Sequence, residues 1–351
     1  MVKSENIRTI KQTQCGGNKV RFVVLGAGRI GLSHVGTLKT QAGVTDLLIA
    51  DLDPARAAAA AASVGSESAT IDEAFGSKPD GIVIAAPTSA HAELMVRAVR
   101  AGIPTFCEKP LAENLASSIL LVHEVERHDV PVQIGFQRRF DAGYTEAKHA
   151  LQNGDIGELR RMHVLTCDPT PPPAEYIPNS GGIYRDCHIH DFDILRWVTG
   201  REVATVFATG ANRGASFFAD AGDVDESAAL LTLDDGTLVT VQGSRYNGAG
   251  YDVRMELAGS LGNRSVGLDQ RVPLTSAEPG VSFPSDSAWP NFQERFAPAY
   301  AAELARFVTV AAGETASPCT PRDALEALYI AEAAELSRAE GRPVRLDEVK
   351  R

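Results

Sequence analysis

Short apolar runs alternate with helical stretches from Val20 to about Phe140. VRFVVLG (20–26) is short, β-branched and closed by glycine, which predicts a buried strand. A helical stretch from about Arg29 to Gln41 follows, then DLLIADL (46–52) as a second strand and DPARAAAAAAS (53–63) as an alanine-rich helix. GIVIAAP (81–87), IPTFCEKP (103–110) and VPVQIGF (130–136) predict three more strands, with helices near His91–Ala101 and Leu115–His128 between them. Strands apolar on both faces and joined by helices imply an α/β fold with a doubly wound parallel sheet.

Beyond Phe140 the pattern changes. DPTPPPAEYIPNSGG (168–182) reads as a loop and precedes one helix over roughly Tyr184–Val198. The runs EVATVFATGA, ESAALLTLDDGTLVTVQGSRY and YDVRMELAGSLG are strand-like, and DDG within the second is a hairpin signal. They predict a largely antiparallel sheet, and FAPAYAAELARFVTVAAG and DALEALYIAEAAELSRAE add two closing helices. The expected division is a flexible tail at 1–19, a nucleotide-binding α/β domain at 20–140, and an α+β domain at 141–351.

Composition narrows the function classes. The chain has 351 residues, 44% hydrophobic and 23% charged, as an ordinary two-domain globular protein would. No apolar run approaches the roughly 18 residues of a membrane span, and residues 1–19 contain no signal-peptide apolar core. A net charge of −11 disfavours binding to nucleic acid, which needs a cationic face. Five scattered cysteines (Cys15, Cys107, Cys167, Cys187 and Cys319), with no C-x-x-C pair, suit a reducing cytoplasm.

Gly26-Ala27-Gly28-Arg29-Ile30-Gly31 matches G-x-G-x-x-G after a strand and at a helix start. There the glycines let backbone approach a pyrophosphate, and the helix N-terminus supplies N–H donors. Asp51, ending the second strand, can accept from ribose hydroxyls and repels a 2′-phosphate, which favours NAD over NADP. Asp53-Pro54 reads instead as the start of the next helix, and Arg29 as either a phosphate contact or a solvated charge. The same fingerprint also serves FAD.

Glu108-Lys109-Pro110 ends the fourth predicted strand, where the carboxyl ends of parallel strands border a ligand crevice. An ammonium there can donate to a substrate oxygen, although a surface Lys–Glu pair would look the same. In GGIYRDCHIHDFDILRW (181–197) helical spacing puts Asp186, His190, Asp193 and Trp197 on one stripe. A carboxylate one turn before an imidazole can hold the ring, and histidine suits proton transfer at neutral pH; a capped helix start is the plain alternative. His188 and His190 diverge on a helix and lack a third ligand, so no metal is expected. His91 opens a helix beside the cofactor edge.

GAGRIG, AAPTSAHAE (85–93), CEKPLA (107–112), GFQRRFDAGY (135–144) and RDCHIHDFDILRW together resemble the Gfo/Idh/MocA oxidoreductases, in the family's order over most of the chain. DPTPPPAEYI (168–177), GYDVRMELAGSLG (250–262) and FQERFAPAYAAELARF (292–307) resemble its inositol 2-dehydrogenases in particular. The resemblance implies an N-terminal Rossmann domain, an open-faced second sheet for substrate and subunit contact, and usually a homotetramer. It implies that Lys109 is the catalytic lysine, Asp186 and His190 the D-x-x-x-H pair, and that Asp168, His188 and Tyr251 line a polyol pocket. Cofactor contacts are then expected from Gly26, Gly28, Arg29, Ile30, Gly31, Asp51, Pro87, Thr88, His91 and Glu108. His188 and the pair Thr166-Cys167 depart from the usual residues of such a pocket.

The expected activity is NAD-dependent oxidation of a ring hydroxyl of a cyclic polyol, foremost myo-inositol or a stereoisomer. An aldose or modified cyclitol as substrate, or a dinucleotide-sensing regulatory protein without turnover, are the competing readings.

Overall fold

A computed structural model describes residues 20–350, so the tail expected at 1–19, Cys15 included, lies outside the described residues. Along the chain run β1 (Arg21–Leu25), α1 (Arg29–Lys39), β2 (Asp46–Ala50), α2 (Pro54–Val64), β3 (Glu67–Ala69), α3 (Ile71–Gly76) and β4 (Gly81–Ile84). Then come α4 (Thr88–Arg100), β5 (Thr105–Glu108), α5 (Leu115–Val125) and β6 (Val132–Gly135). These strands form one parallel sheet in the order β3-β2-β1-β4-β5-β6. The order reverses between β1 and β4, which opens a crevice at their carboxyl ends.

Local chemistry sets the boundaries. Asp53 caps α2 by accepting from the N–H groups of Ala55 (3.0 Å) and Arg56 (3.3 Å), Pro54 occupies the first turn, and Gly65 ends the helix in the left-handed region. The strand β3 was not foreseen, since its residues Glu-Ser-Ala lie exposed at the sheet edge and carry no apolar pattern.

The second part contains α6 (Ala142–Gln152), β7 (Leu159–Cys167), α7 (Ile177–Ser180), α8 (Ile183–Asp186), α9 (Ile189–Thr199), β8 (Val203–Ala211), α10 (Phe217–Asp220), β9 (Glu226–Leu233) and β10 (Leu238–Ser244). It ends with β11 (Asp252–Gly259), β12 (Asn263–Val266), α11 (Phe292–Arg295), α12 (Ala297–Ala311), α13 (Pro321–Glu340), β13 (Val344–Arg345) and α14 (Leu346–Val349). Its sheet runs β12-β11-β7-β10-β9-β8-β13 and is antiparallel except for the β7–β10 pair. The expected hairpin joins β9 to β10, with Gly236 at φ 88° in its turn. One face of this sheet packs on α9 and α13, and the other leaves Phe207, Leu230 and Leu238 exposed.

Helix α12 returns to the first sheet. Its Leu304, Phe307 and Val310 pack with Phe22, Val24 and Phe106, and Phe307 meets Phe22 edge-on with centroids 5.8 Å apart. The same face holds His34 of α1, whose Nε2 lies 2.7 Å from Glu108 Oε1 at the end of β5. Core packing and a buried polar bond thus fix the crevice walls together.

Candidate active site

The turn after β1 is built for close approach. Gly26 has φ 103°, and a side chain there would strike the Ala85 carbonyl. A Cβ on Gly31 would overlap the Gly26 carbonyl oxygen, so α1 can start this near the strand only with glycine. Gly28 differs: it is exposed, caps α1 without a side-chain bond, and a Cβ on it would meet nothing within 4 Å. The first N–H groups of α1 have no intrahelical acceptor and face that open side with the positive end of the helix dipole. Ile30 lies half-buried in this first turn, and exposed Arg29 sits with its guanidinium 5.3 Å from the Phe292 ring centroid.

Asp51 Oδ2 accepts from Ala27 N at 2.7 Å and its Oδ1 from Asp53 N at 2.9 Å. The carboxylate is therefore held at the end of β2, beside the glycine turn. Pro87 and Thr88 open α4 across the crevice, exposed and half-buried respectively. This cradle fits a dinucleotide, with backbone N–H groups for the pyrophosphate and an acid for the ribose.

Two of the residues expected at the cofactor edge have partners within the protein. His91 is buried, with Nδ1 2.7 Å from the Pro110 oxygen and Nε2 2.9 Å from the Ala86 oxygen. It braces the ends of β4 and β5 from behind rather than facing the crevice. Glu108 spends one oxygen on His34, as described above. Both pairings have one cause: helix α1 and helix α4 pack their histidines inward against the strand ends.

The second half of the site depends on a helix break. The single helix expected over Tyr184–Val198 is two, α8 and α9, parted at Cys187-His188. Gly181 (φ 81°) and Gly182 (φ 87°) turn the loop into α8, and Asp223 Oδ1 accepts from Ile183 N at 3.0 Å. The N–H groups of Cys187 and His188 both reach the Ile183 oxygen, at 3.0 Å each. The Asp186 carbonyl is thereby left to accept from Lys109 Nζ at 3.0 Å.

The predicted stripe accordingly dissolves. Asp193 pairs with buried Arg139 (2.6 and 2.9 Å), and Trp197 lies 3.8 Å beneath Lys148 Nζ. Asp191 takes an ion pair from buried Arg138 and a bond from Thr166 Oγ1 at 2.7 Å. Consecutive arginines in the turn after β6 therefore answer two aspartates two positions apart on α9. These pairs lock α9, and removing one partner would strand a buried charge.

His188 is also corrected. It is 1% exposed, with Nδ1 2.7 Å from Asp191 Oδ2 and Nε2 2.8 Å from Ser227 Oγ. Tyr184 stacks on it, and a Cβ on Gly243 would overlap its ring. The Ser227–His188–Asp191 chain has the order of a hydrolase triad, but it is sealed within the packed side of the sheet. His188 supports α9 and does not line the pocket.

Around Lys109 the remaining groups converge. Asp186 Oδ1 lies 3.4 Å from Lys109 Nζ and accepts from Tyr176 Oη at 2.9 Å, while Oδ2 accepts from Arg245 at 2.7 Å. Arg245 also donates to Asp168 Oδ2 at 2.9 Å. Burial alone would raise the Asp186 carboxyl, but Lys109 and Arg245 outweigh it and hold it well below the usual carboxylate range. Burial raises Asp168, against the pull of Arg245.

His190 lies half-buried against Phe136, ring centroids 5.6 Å apart, and its Nδ1 is buried without a partner. Burial first, then the charges of Lys109 and Arg138, hold its imidazole well below the ordinary histidine value. Tyr251 and Cys187 are buried beside this cluster, and burial pushes both hydroxyl and thiol well up. Tyr176 and Arg245 escaped the sequence reading. Tyr176 lies within DPTPPPAEYI, but a loop gives no side-chain direction; Arg245 sits in no motif, and only the β7–β10 pairing, which sets Ser244 opposite Cys167, brings it beside Asp168.

A dinucleotide cradle and a lysine–aspartate–histidine cluster thus share one crevice of a two-sheet fold, the layout of a dehydrogenase. Residues 20–136 match the oxidoreductase family with an NAD-binding Rossmann fold, and 144–264 match the GFO/IDH/MocA C-terminal domain. The chain belongs to the Gfo/Idh/MocA oxidoreductases, and it is an NAD-binding oxidoreductase. It is 38% identical to a myo-inositol dehydrogenase of Streptomyces leeuwenhoekii over 322 residues, covering 91% of this chain and 97% of that protein. It is 36% identical to the scyllo-inositol 2-dehydrogenase (NAD(+)) of Bacillus subtilis over 340 residues, 95% and 98% of the two chains. The crystal structure of scyllo-inositol dehydrogenase from Lactobacillus casei, with NAD(H) and scyllo-inositol bound, matches with a TM-score of 0.85 at 27% identity, covering 94% of this chain and 100% of that one. Among the described residues no helix is long and apolar enough to cross a membrane, and no cluster of metal-ligating side chains occurs.

Proposed function

We propose that this protein oxidises one ring hydroxyl of an inositol, myo-inositol or a stereoisomer, to the keto-inositol. The observation that carries the reading is His190. Its ring nitrogen Nδ1 is buried and unpartnered, and the ring stands beside a lysine-bound carboxylate at the mouth of the dinucleotide crevice. Bound NAD would supply the hydride acceptor.

The chain's own residues do the rest. His190, kept neutral by burial and by neighbouring cations, takes the hydroxyl proton as general base. Lys109 donates to the same oxygen and stabilises negative charge developing there. Asp186, ionised and bonded to Tyr176 and Arg245, accepts from a substrate hydroxyl and fixes the ring. Asp168 and Tyr251 are assigned to the remaining ring positions. Two cations (Lys109, Arg245) balance two carboxylates (Asp168, Asp186), which favours a neutral polyol over a sugar acid or phosphate.

The naming of the relatives supports inositol over an aldose. The buried position of His188 removes the motive for a different ring. The open sheet face bearing Phe207, Leu230 and Leu238 is assigned to packing of copies into a homotetramer. The free, buried cysteines Cys107, Cys167, Cys187 and Cys319 favour a reducing, cytoplasmic setting.

The test is NADH formation across inositol isomers, aldoses and deoxy sugars. Reduction of NAD with an inositol is expected, at a kcat/KM at least tenfold above any aldose, roughly the discrimination of 1.4 kcal/mol. An aldose preferred over every inositol would overturn the substrate assignment. Tight NAD binding with no turnover of any polyol would favour a dinucleotide sensor.

A further inference from the structure

Arg245 touches both carboxylates of the pocket yet is only 3% exposed. Its backbone N–H is pinned to the Asp225 oxygen at 2.8 Å, and its two terminal nitrogens divide between Asp168 and Asp186. The two acids reach it from different directions. Asp168 follows β7 on the strand paired with β10, whereas Asp186 ends α8. Without a cation between them, two carboxylates in one shielded pocket repel, and one takes up a proton.

The guanidinium uses one oxygen of each acid. Asp186 Oδ1 is left for Lys109, Tyr176 and a ligand, and Asp168 Oδ1 takes no hydrogen bond among the described residues. Asp168 is 22% exposed at its side chain and Asp186 12%, so both reach the pocket surface while Arg245 stays behind them.

We infer that Arg245 is a positioning and specificity residue, which ties Asp168 and Asp186 into one double acceptor for two neighbouring hydroxyls of a ring. It acts through the two carboxylates and never touches substrate. The ligand class that follows is a ring bearing a vicinal diol next to the carbon that is oxidised. A ring lacking one of the two hydroxyls leaves a buried acceptor unpaired, which costs more than the loss of one contact. This rests on reading the pocket as a polyol site.

The experiment compares the wild-type enzyme with Arg245→Lys and Arg245→Gln on an inositol and on its deoxy analogues, each with NAD. Groups facing Asp186 are Lys109, Asp168, Tyr176, Cys187, His190 and Arg245 itself. Loss of the Arg245 charge in Arg245→Gln leaves Lys109 as the one cation beside Asp186 and none bonded to Asp168. The expected result has three parts. In Arg245→Gln, kcat/KM for the inositol falls about a hundredfold, and the preference over a deoxy analogue shrinks to within a few-fold. Arg245→Lys restores part of both. NAD affinity, read by fluorescence, stays within about twofold, since the cradle is untouched.

An unchanged preference for the inositol over its deoxy analogues in Arg245→Gln overturns the inference. So does a loss in which NAD affinity and Tm fall in parallel and lysine restores nothing. A wild-type enzyme that turns over no polyol overturns the proposed function instead. The positioning role of Arg245 is then decided by the crystal structure of Arg245→Gln: carboxylates that have separated uphold that role, and carboxylates in unchanged places overturn it.

Discussion

The nucleotide cradle at Gly26–Gly31 is made of backbone, whereas the pocket beside Lys109 is made of charged side chains from four separate stretches of chain. In the cradle the decisive feature is space: a turn that admits no side chain at two positions and leaves a third open. In the pocket it is charge, with Lys109, Asp168, Asp186 and Arg245 held together by hydrogen bonds of 2.7–3.4 Å. Backbone cradles bind any ligand with the right phosphates. Charge clusters choose the chemistry and the ring.

Substitutions can separate the two regions. The largest effect is expected at the pocket. His190→Asn or Lys109→Met should lower kcat by about 10²–10⁴-fold in steady-state NADH formation, with the Kd for NAD unchanged within about twofold. A parallel loss of NAD binding would show that the regions are not independent.

Next come the glycines, which split the cradle itself. Gly31→Ala, which must displace the Gly26 carbonyl, should cost on the order of 2–4 kcal/mol and lower Tm by several degrees. Gly28→Ala should leave Tm within about a degree and weaken NAD roughly tenfold, because its Cβ points into open space a pyrophosphate would fill. Equal Tm losses at both would refute the distinction between packing glycine and ligand-facing glycine.

The smallest effect is expected at the rim. Tyr176 is 43% exposed, and its hydroxyl bonds Asp186. Tyr176→Phe should raise KM for the polyol a few-fold and leave kcat within about threefold, consistent with one partly exposed hydrogen bond of about 1 kcal/mol. A loss in kcat alone would move Tyr176 from the rim to the reacting centre.

How much was legible in the sequence follows the same division. The cradle could be read because glycine spacing, a β-branched strand and a terminal aspartate lie within one short unit. Buried parallel strands show as apolar runs; β3 does not, being an exposed edge strand, and neither does β7, where Arg160 and Arg161 lie exposed. The pocket could be read only in part. Lys109, Asp186 and His190 stand in motifs, but helical spacing suggested a continuous stripe where the chain breaks at Cys187-His188. His188 and His91 looked like ligand-facing side chains because sequence does not show which polar groups a core will claim. Arg245 required the strand pairing, since it lies 77 positions from Asp168 and 59 from Asp186.

The most direct test of the chemistry is the pH dependence of kcat/KM for inositol oxidation, which reports the base in the free enzyme. His190 must be neutral to accept the proton, and burial with Lys109 and Arg138 lowers its pKa. Activity should therefore persist below pH 6.5, the ordinary histidine value, and fall only as acid reaches the lowered value. In His190→Asn that limb should vanish with the rate. A limb at or above pH 6.5 in the wild-type enzyme, or the same limb surviving in His190→Asn, would contradict His190 as the base.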